Sequence, residues 1–145
     1  MERAGFGIRL VALLIDALIL GIISYVLDSL LGLVVNTDPV NPITGELSYG
    51  PGYRLSLLVS LLLAFIYSVW IPLRTNGQTP GKKLLKIRIA KINGEPLSVG
   101  ALLLREFIGK TVSTIILFIG YLMAFGKEKR ALHDYMAGTV VVRDQ

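Results

Sequence analysis

Apolar and polar positions along this chain fall into long blocks. From Leu10 to Val35 the residues are almost wholly apolar, broken mainly by Asp16 and by polar groups near the far end. At about 1.5 Å of rise per residue, such a run crosses a bilayer with room for tilt. Arg9 stands at its start, where a long side chain reaches the headgroups. Asp28 stands near its other end, within reach of water. Asp16 has neither escape, and a carboxylate about two turns into such a run is costly. Asn36 to Tyr53 is a loop rich in Pro, Gly and Asn that carries Asp38 and Glu46; these residues break helices and favour turns. Leu55 to Leu73 has no charge and reads as a second span. Tyr67 and Trp70 lie near its end, at the level where aromatic anchors meet headgroups, and Pro72 and Arg74 close it.

The second half differs in kind. Thr75 to Ser98 sets Lys82, Lys83, Lys86, Arg88 and Lys91 against Glu95. The positive-inside rule places this loop, and with it the N-terminus, in the cytoplasm. Ile87, Ile89 and Ile92 interleave with Lys86, Arg88 and Lys91, which predicts a short strand ended by an Asn93-Gly94 turn. In Val99 to Phe125, residues Arg105, Glu106, Gly109, Lys110 and Ser113 fall on one helical stripe. That stripe suits a membrane surface or a protein interior, with Glu106 and Lys110 in the favourable order for a pair. Ile115 to Phe125 is short for a span. The tail, Gly126 to Gln145, is again basic, and its Val140-Val141-Val142 run is a strand partner for Lys86 to Ile92. A single third span would put this basic tail outside. The expected fold is therefore all-α and membrane-integral, a single domain over 1–145. It has two full transmembrane helices plus a surface or re-entrant helical element, with a small cytoplasmic β element.

Composition agrees with a bilayer as solvent. Of 145 residues, 53% are hydrophobic and only 17% charged, more apolar than a soluble domain of this size. The net charge of +5 comes from residues that flank apolar blocks, as attraction to anionic headgroups requires and nucleic-acid binding does not. The absence of cysteine excludes disulfides and thiol metal sites. The first apolar block is too long for a signal-peptide core and is read as retained. The expected location is the cell membrane, multi-pass.

Asp16 is the sharpest candidate. As an intramembrane acid it either binds a cation or proton, or holds helices together through Arg9, Arg105 or Lys110. Arg9 is seven residues away, on the same face but about 10 Å along the axis, a poor direct mate. Arg9 is better matched to Asp134 at the cytoplasmic surface, where Lys82 is another possible partner of Asp134. Arg105 is read as part of the stripe, or else as closing a polar cluster around Asp16. His133-Asp134 resembles a metal-binding dipeptide, but a catalytic metal needs about three protein ligands and the chain has 1 histidine. His133 is read as structural first and as a proton relay or pH sensor second. Gly77 to Lys83 has three residues between its glycines where a phosphate loop needs about four, so Lys82, Lys83 and Lys86 are assigned to lipid headgroups. No enzyme activity, cofactor or metal is expected.

Arg9 and Asp16 in the first span, with Asp134 in the tail, resemble the RDD family of small membrane proteins, named for one arginine and two aspartates. Gly77-Gln78-Thr79-Pro80-Gly81-Lys82-Lys83-Leu84, followed by Lys86-Ile87-Arg88-Ile89, looks like that family's Gly-x-Thr-x-Gly-Lys stretch and strand. Arg130-Ala131-Leu132-His133-Asp134 with Ala137-Gly138-Thr139 looks like its closing signature. The resemblance covers essentially the whole chain. It implies that Arg9, Asp16 and Asp134 are the defining positions and that transport of an unidentified ligand is the commonly suggested role. Two readings stand: a transporter exchanging a small ligand, cation or proton, with a homo-oligomer lining the path, and a non-transporting scaffold, regulatory or lipid-binding module. The topology has its own test. A cysteine at Gln145 is expected to react with impermeant reagent only after cells are opened, and labelling of intact cells would reject a cytoplasmic tail.

Overall fold

The computed structural model describes residues 2–109, 111–112 and 122–144. Helix α1 runs Phe6–Gly32. Helix α2, Pro51–Phe65, continues through a π-helical turn at Ile66–Trp70 into α3, Ile71–Arg74. Short helix α4, Pro80–Leu84, precedes strand β1, Ile87–Lys91. Helix α5, Val99–Leu103, passes into a second π-helical turn, Leu104–Gly109. A 3-10 turn at Met123–Phe125, helix α6 at Leu132–Ala137 and strand β2 at Thr139–Arg143 complete the chain. The chain divides into two compact units, Met1–Ala17 with Tyr67–Gln145, and Leu18–Ile66.

Among the described residues, two helices are long and apolar enough to cross a membrane, Phe6–Gly32 and Pro51–Arg74. Both differ from the apolar runs that announced them. The first begins before Leu10, because helix geometry tolerates Arg9 and Gly7 in an opening turn, and stops before Val35. The second takes Pro51 at its first position, where the missing N–H costs nothing, so Tyr53 and Arg54 belong to the helix and not to the loop. Leu14, Leu18 and Ile22 of α1, and Leu58 and Leu62 of α2, are more than half exposed. Such faces suit hydrocarbon and are expensive in water. In the second unit, Ser56 donates to Asp28 Oδ1 at 2.6 Å, so Asp28 is held by protein.

The expected strand pairing forms. β1 and β2 are antiparallel, with Ile87 opposite Arg143 and Lys91 opposite Thr139. Ile87 and Ile89 turn inward on alternate positions. Ile92 falls outside the strand, past its last residue. β2 is buried from Thr139 to Val142 because it is covered along both edges. Its second edge takes residues 2–4 of the N-terminal head, which the sequence offered only as a polar leader. Arg3 bridges Val142, Ala4 N–H donates to Val141 at 2.8 Å, and Arg143 N–H donates to Glu2 at 2.8 Å. The core of this unit comprises Ala4, Ala12, Val69, Ile87, Ile89, Leu102 and Val141.

This sheet gathers distant parts of the chain. The N-terminal head, the basic loop and the tail are hydrogen-bonded to one another. The Ile115 to Phe125 element expected to re-enter lies mostly outside the described residues, as do Lys110 and Ser113 of the stripe.

Gly77 is a tight joint. Its φ is +88°, a backbone region open to glycine. Its carbonyl accepts from Ile89 N–H at 2.8 Å, and a Cβ there would lie 2.1 Å from the Ile89 oxygen. Gly77→Ala is expected to cost roughly 2–4 kcal/mol from strain and overpacking. Gly100→Ala, where nothing lies within 4 Å, should be close to neutral. Thermal unfolding of both variants in detergent, followed by circular dichroism, compares them.

Candidate functional site

Two buried carboxylates organise the first unit, and they are satisfied in opposite ways. Asp16 shares a face of α1 with Ala12, one turn earlier, and both are buried. Asp16 Oδ1 accepts from Tyr67 Oη at 2.7 Å and from Gly81 N–H at 2.7 Å. Its Oδ2 accepts from Thr79 Oγ1 at 2.5 Å. Each contact follows from local structure. Tyr67 is delivered by the π-helical turn, which buries Tyr67 and Val69; such widened turns frequently mark functional positions. Thr79 and Gly81 flank Pro80 at the start of α4, where backbone N–H groups have no helical partner. Thr79 does not cap its own helix; Asp16 caps it from α1. The approach needs glycine, since a Cβ on Gly81 would sit 2.6 Å from the Ala12 oxygen and 2.7 Å from Asp16 Oδ1.

Asp134 lies fully buried in the first turn of α6. Its Oδ2 accepts from the backbone N–H of Ala131 at 3.0 Å, closing the helix start, and forms an ion pair with Arg9. Its Oδ1 pairs with Arg105. Arg105 comes from the second π-helical turn and also donates to Glu106 Oε1 at 3.1 Å and to Thr139 Oγ1 at 3.4 Å. Arg9 donates a further bond to the Lys129 carbonyl at 2.9 Å. Arg130 braces the same corner, reaching the carbonyls of Thr139 and Asp134 and lying 3.9 Å over the Tyr135 ring. His133 is buried, with Nε2 3.8 Å from Asp134 Oδ1. Burial alone would push the Asp134 carboxyl up. The guanidinium charges of Arg105 and Arg9 overturn that and hold it well below the usual carboxylate range.

The expected pairing of Arg9 with Asp134 is present, and Arg105 is a second partner. The partners expected for Asp16 are not those it has. Arg9 and Arg105 both go to Asp134, and Lys110 lies outside the described residues. Of the two settings the stripe suited, Arg105 takes the protein interior, being only 3% exposed. The widened turn changes which residues share a face, and the buried Asp134 draws Arg105 inward. Tyr67, read as a headgroup anchor, is buried against Asp16, whereas Trp70 is exposed with Arg74 lying 5.6 Å from its ring centre. Lys83 and Lys86 are exposed and Lys82 partly so. Thr79 before Pro80 was the available signal for α4, being a cap residue followed by proline at the first helical position. Among the described residues, no three of His, Cys, Asp or Glu come together as a metal site.

Comparison with known proteins gives a consistent relationship. The family model described as "RDD family" matches residues 3–138. The uncharacterized protein YxaI of Bacillus subtilis (strain 168) is 37% identical, over 98% of this chain and 99% of its own. The uncharacterized protein YckC of the same strain is 32% identical, over 97% of this chain and 84% of its own. A third protein from that strain, the "uncharacterized membrane protein YteJ", is 28% identical over 98% of this chain and 82% of its own. No solved structure gives a significant match.

The depressed Asp134 carboxyl sets an acid limit on stability. A carboxyl held low in the folded state takes up its proton more readily when unfolded. Its contribution is therefore complete above the ordinary carboxylate range and is lost as pH falls toward the folded value. The denaturant midpoint in detergent is expected to fall as pH drops below about 4. Asp134→Asn should flatten that limb and cost roughly 3–5 kcal/mol at neutral pH, since two guanidiniums lose their counter-charge. An acid limb unchanged by the substitution would assign it to other carboxylates.

Proposed function

We propose that this chain, which belongs to the RDD family, is a membrane protein that exchanges a proton or a small cation through Asp16. One observation carries the reading: among the described residues, the hydrogen-bond donors to the Asp16 carboxylate, Tyr67, Thr79 and Gly81, are all neutral. Asp134 has two guanidiniums to cancel its charge, while Asp16 has two hydroxyls and a backbone amide. An ionised group in an apolar helix without a counter-charge is costly, and a proton or small cation from solution cancels it. Hydroxyls both donate and accept. The oxygens of Tyr67 and Thr79 therefore serve the carboxylate when it is ionised, and either can accept from it when it is protonated, without moving the heavy atoms.

On this reading the Arg9–Asp134–Arg105 cluster, with His133 beside it, holds the cytoplasmic mouth. Lys83 and Lys86 meet lipid headgroups. The membrane setting draws support from the two long apolar helices and from the relative YteJ, which is named a membrane protein. Two spans enclose little volume, so a path through the bilayer calls for a homo-oligomer.

A second reading rests on a different observation. The close approach of Gly81 leaves no space for a methyl group beside Asp16, which suits a permanent tie between α1 and α4 in a non-transporting scaffold. The experiment is flux of protons against imposed sodium or potassium gradients in vesicles reconstituted with the protein. Asp16→Asn should abolish flux while leaving detergent-extracted oligomer size and thermal midpoint close to the parent. Loss of the assembly in Asp16→Asn, with no gradient driving flux in the parent, selects the scaffold.

A further inference from the structure

The loop between the two long helices carries more exposed apolar surface than a connector needs. Ile43 is 92% exposed, Leu33 83%, Val34 82% and Leu47 68%. Tyr49 is also more than half exposed, and its ring stands 5.3 Å from that of Tyr53. Concentrations of exposed apolar side chains on this scale mark a surface that meets something.

The loop is also built to hold them. Val40 bridges Leu47. Asn41 N–H donates to Glu46 at 2.8 Å, Gly45 N–H to Asn41 at 2.8 Å, and Ser48 N–H to Pro39 at 2.7 Å. The Asn41 side chain accepts from Ile43 N–H at 2.9 Å, and Gly45 supplies the left-handed turn at φ +71°. The result is a small hairpin with Ile43 at its tip. Its backbone satisfies much of its own hydrogen bonding, which a segment leaving bulk water requires.

We infer that this hairpin is an interfacial anchor whose Ile43 tip enters the headgroup region of the adjoining membrane leaflet. Three observations select lipid over a protein partner. Both ends of the loop continue into helices whose apolar faces already suit hydrocarbon, so the leaflet is adjacent to it and no association entropy is spent reaching it. Leu33 and Val34 prolong the apolar surface of α1 directly into the loop. The Tyr49–Tyr53 pair sits at the loop–helix junction, the depth that aromatic residues favour at a membrane surface. The inference depends on the two spans and not on the chemistry of Asp16.

The test places a cysteine at Ile43, labels it with an environment-sensitive dye, and reconstitutes the full chain into phosphatidylcholine–phosphatidylglycerol vesicles. A dye on Asn93→Cys, in the exposed turn after β1, serves as the aqueous reference. Vesicle flotation first establishes that the protein is membrane-bound, so failure of the spans is separated from failure of the anchor. The expected result at Ile43 is blue-shifted emission. Quenching by lipids spin-labelled near the headgroup should be several-fold stronger than at Asn93, and quenching by aqueous iodide weaker. Iodide quenching equal to the reference overturns the inference and leaves the hairpin in water. Shielding from both quenchers also overturns it and assigns the tip to a second copy or another protein. Ile43 makes so little contact within the fold that the substitution should leave folding intact.

Discussion

A carboxylate within an apolar helix must find donors, and in this protein the search for them brings distant parts of the chain together. Asp16 cannot reach water along its own helix. It is satisfied by a tyrosine fifty-one residues on, a threonine and a backbone amide of a helical turn further still. That turn has orphan N–H groups of its own at its start. Each side thus removes the other's unsatisfied polar groups, and the contact closes only because Ala12 and Gly81 are small. The turn leads directly into β1, so the placement of the sheet's first strand follows from the needs of one buried acid.

Asp134 meets the same demand with full charges. Arg9 and Arg105 converge on it, Glu106 takes part of Arg105, and the four formal charges cancel. Buried ion pairs repay their desolvation only with dense hydrogen bonding, which the Ala131 amide and the Thr139 hydroxyl help to supply. The two acids therefore differ in kind. One is locked by opposite charge and cannot exchange its proton without unbalancing a cluster. The other is held by two hydroxyls, which can reverse hydrogen-bond direction, and by one backbone amide, which cannot. That contrast directs the functional reading to Asp16.

Much of this was legible in the residues. The two long helices followed from apolar run length, and the β1–β2 pairing followed from alternating isoleucines and a valine run in the tail. The Arg9–Asp134 pair followed from spacing, because seven residues along a helix separate Arg9 from Asp16 too far for contact. The partners of Asp16 were hidden because they depend on a π-helical turn, whose extra width leaves no periodic trace, and on a helix of one turn. The stripe containing Arg105 suited a surface or an interior, and its pattern did not choose between them, since ordinary helical periodicity does not hold from Leu104 to Gly109. The edge contributed by Glu2 to Ala4 was hidden because strand pairing of so short a segment is set by its partner, not by its own pattern.

The sheet explains why the charges are distributed as they are. Its three segments come from the head, the middle and the tail of the chain, and each carries basic residues. Gathering them in one sheet concentrates positive charge there, and concentrated positive charge is what orients membrane proteins. It also lets Arg9, at the start of α1, meet Asp134, just before β2. Closing the sheet and cancelling the buried charges are thus one constraint seen twice: the pairing of β1 with β2 fixes the tail beside the head of the chain, and that is what brings Asp134 to Arg9.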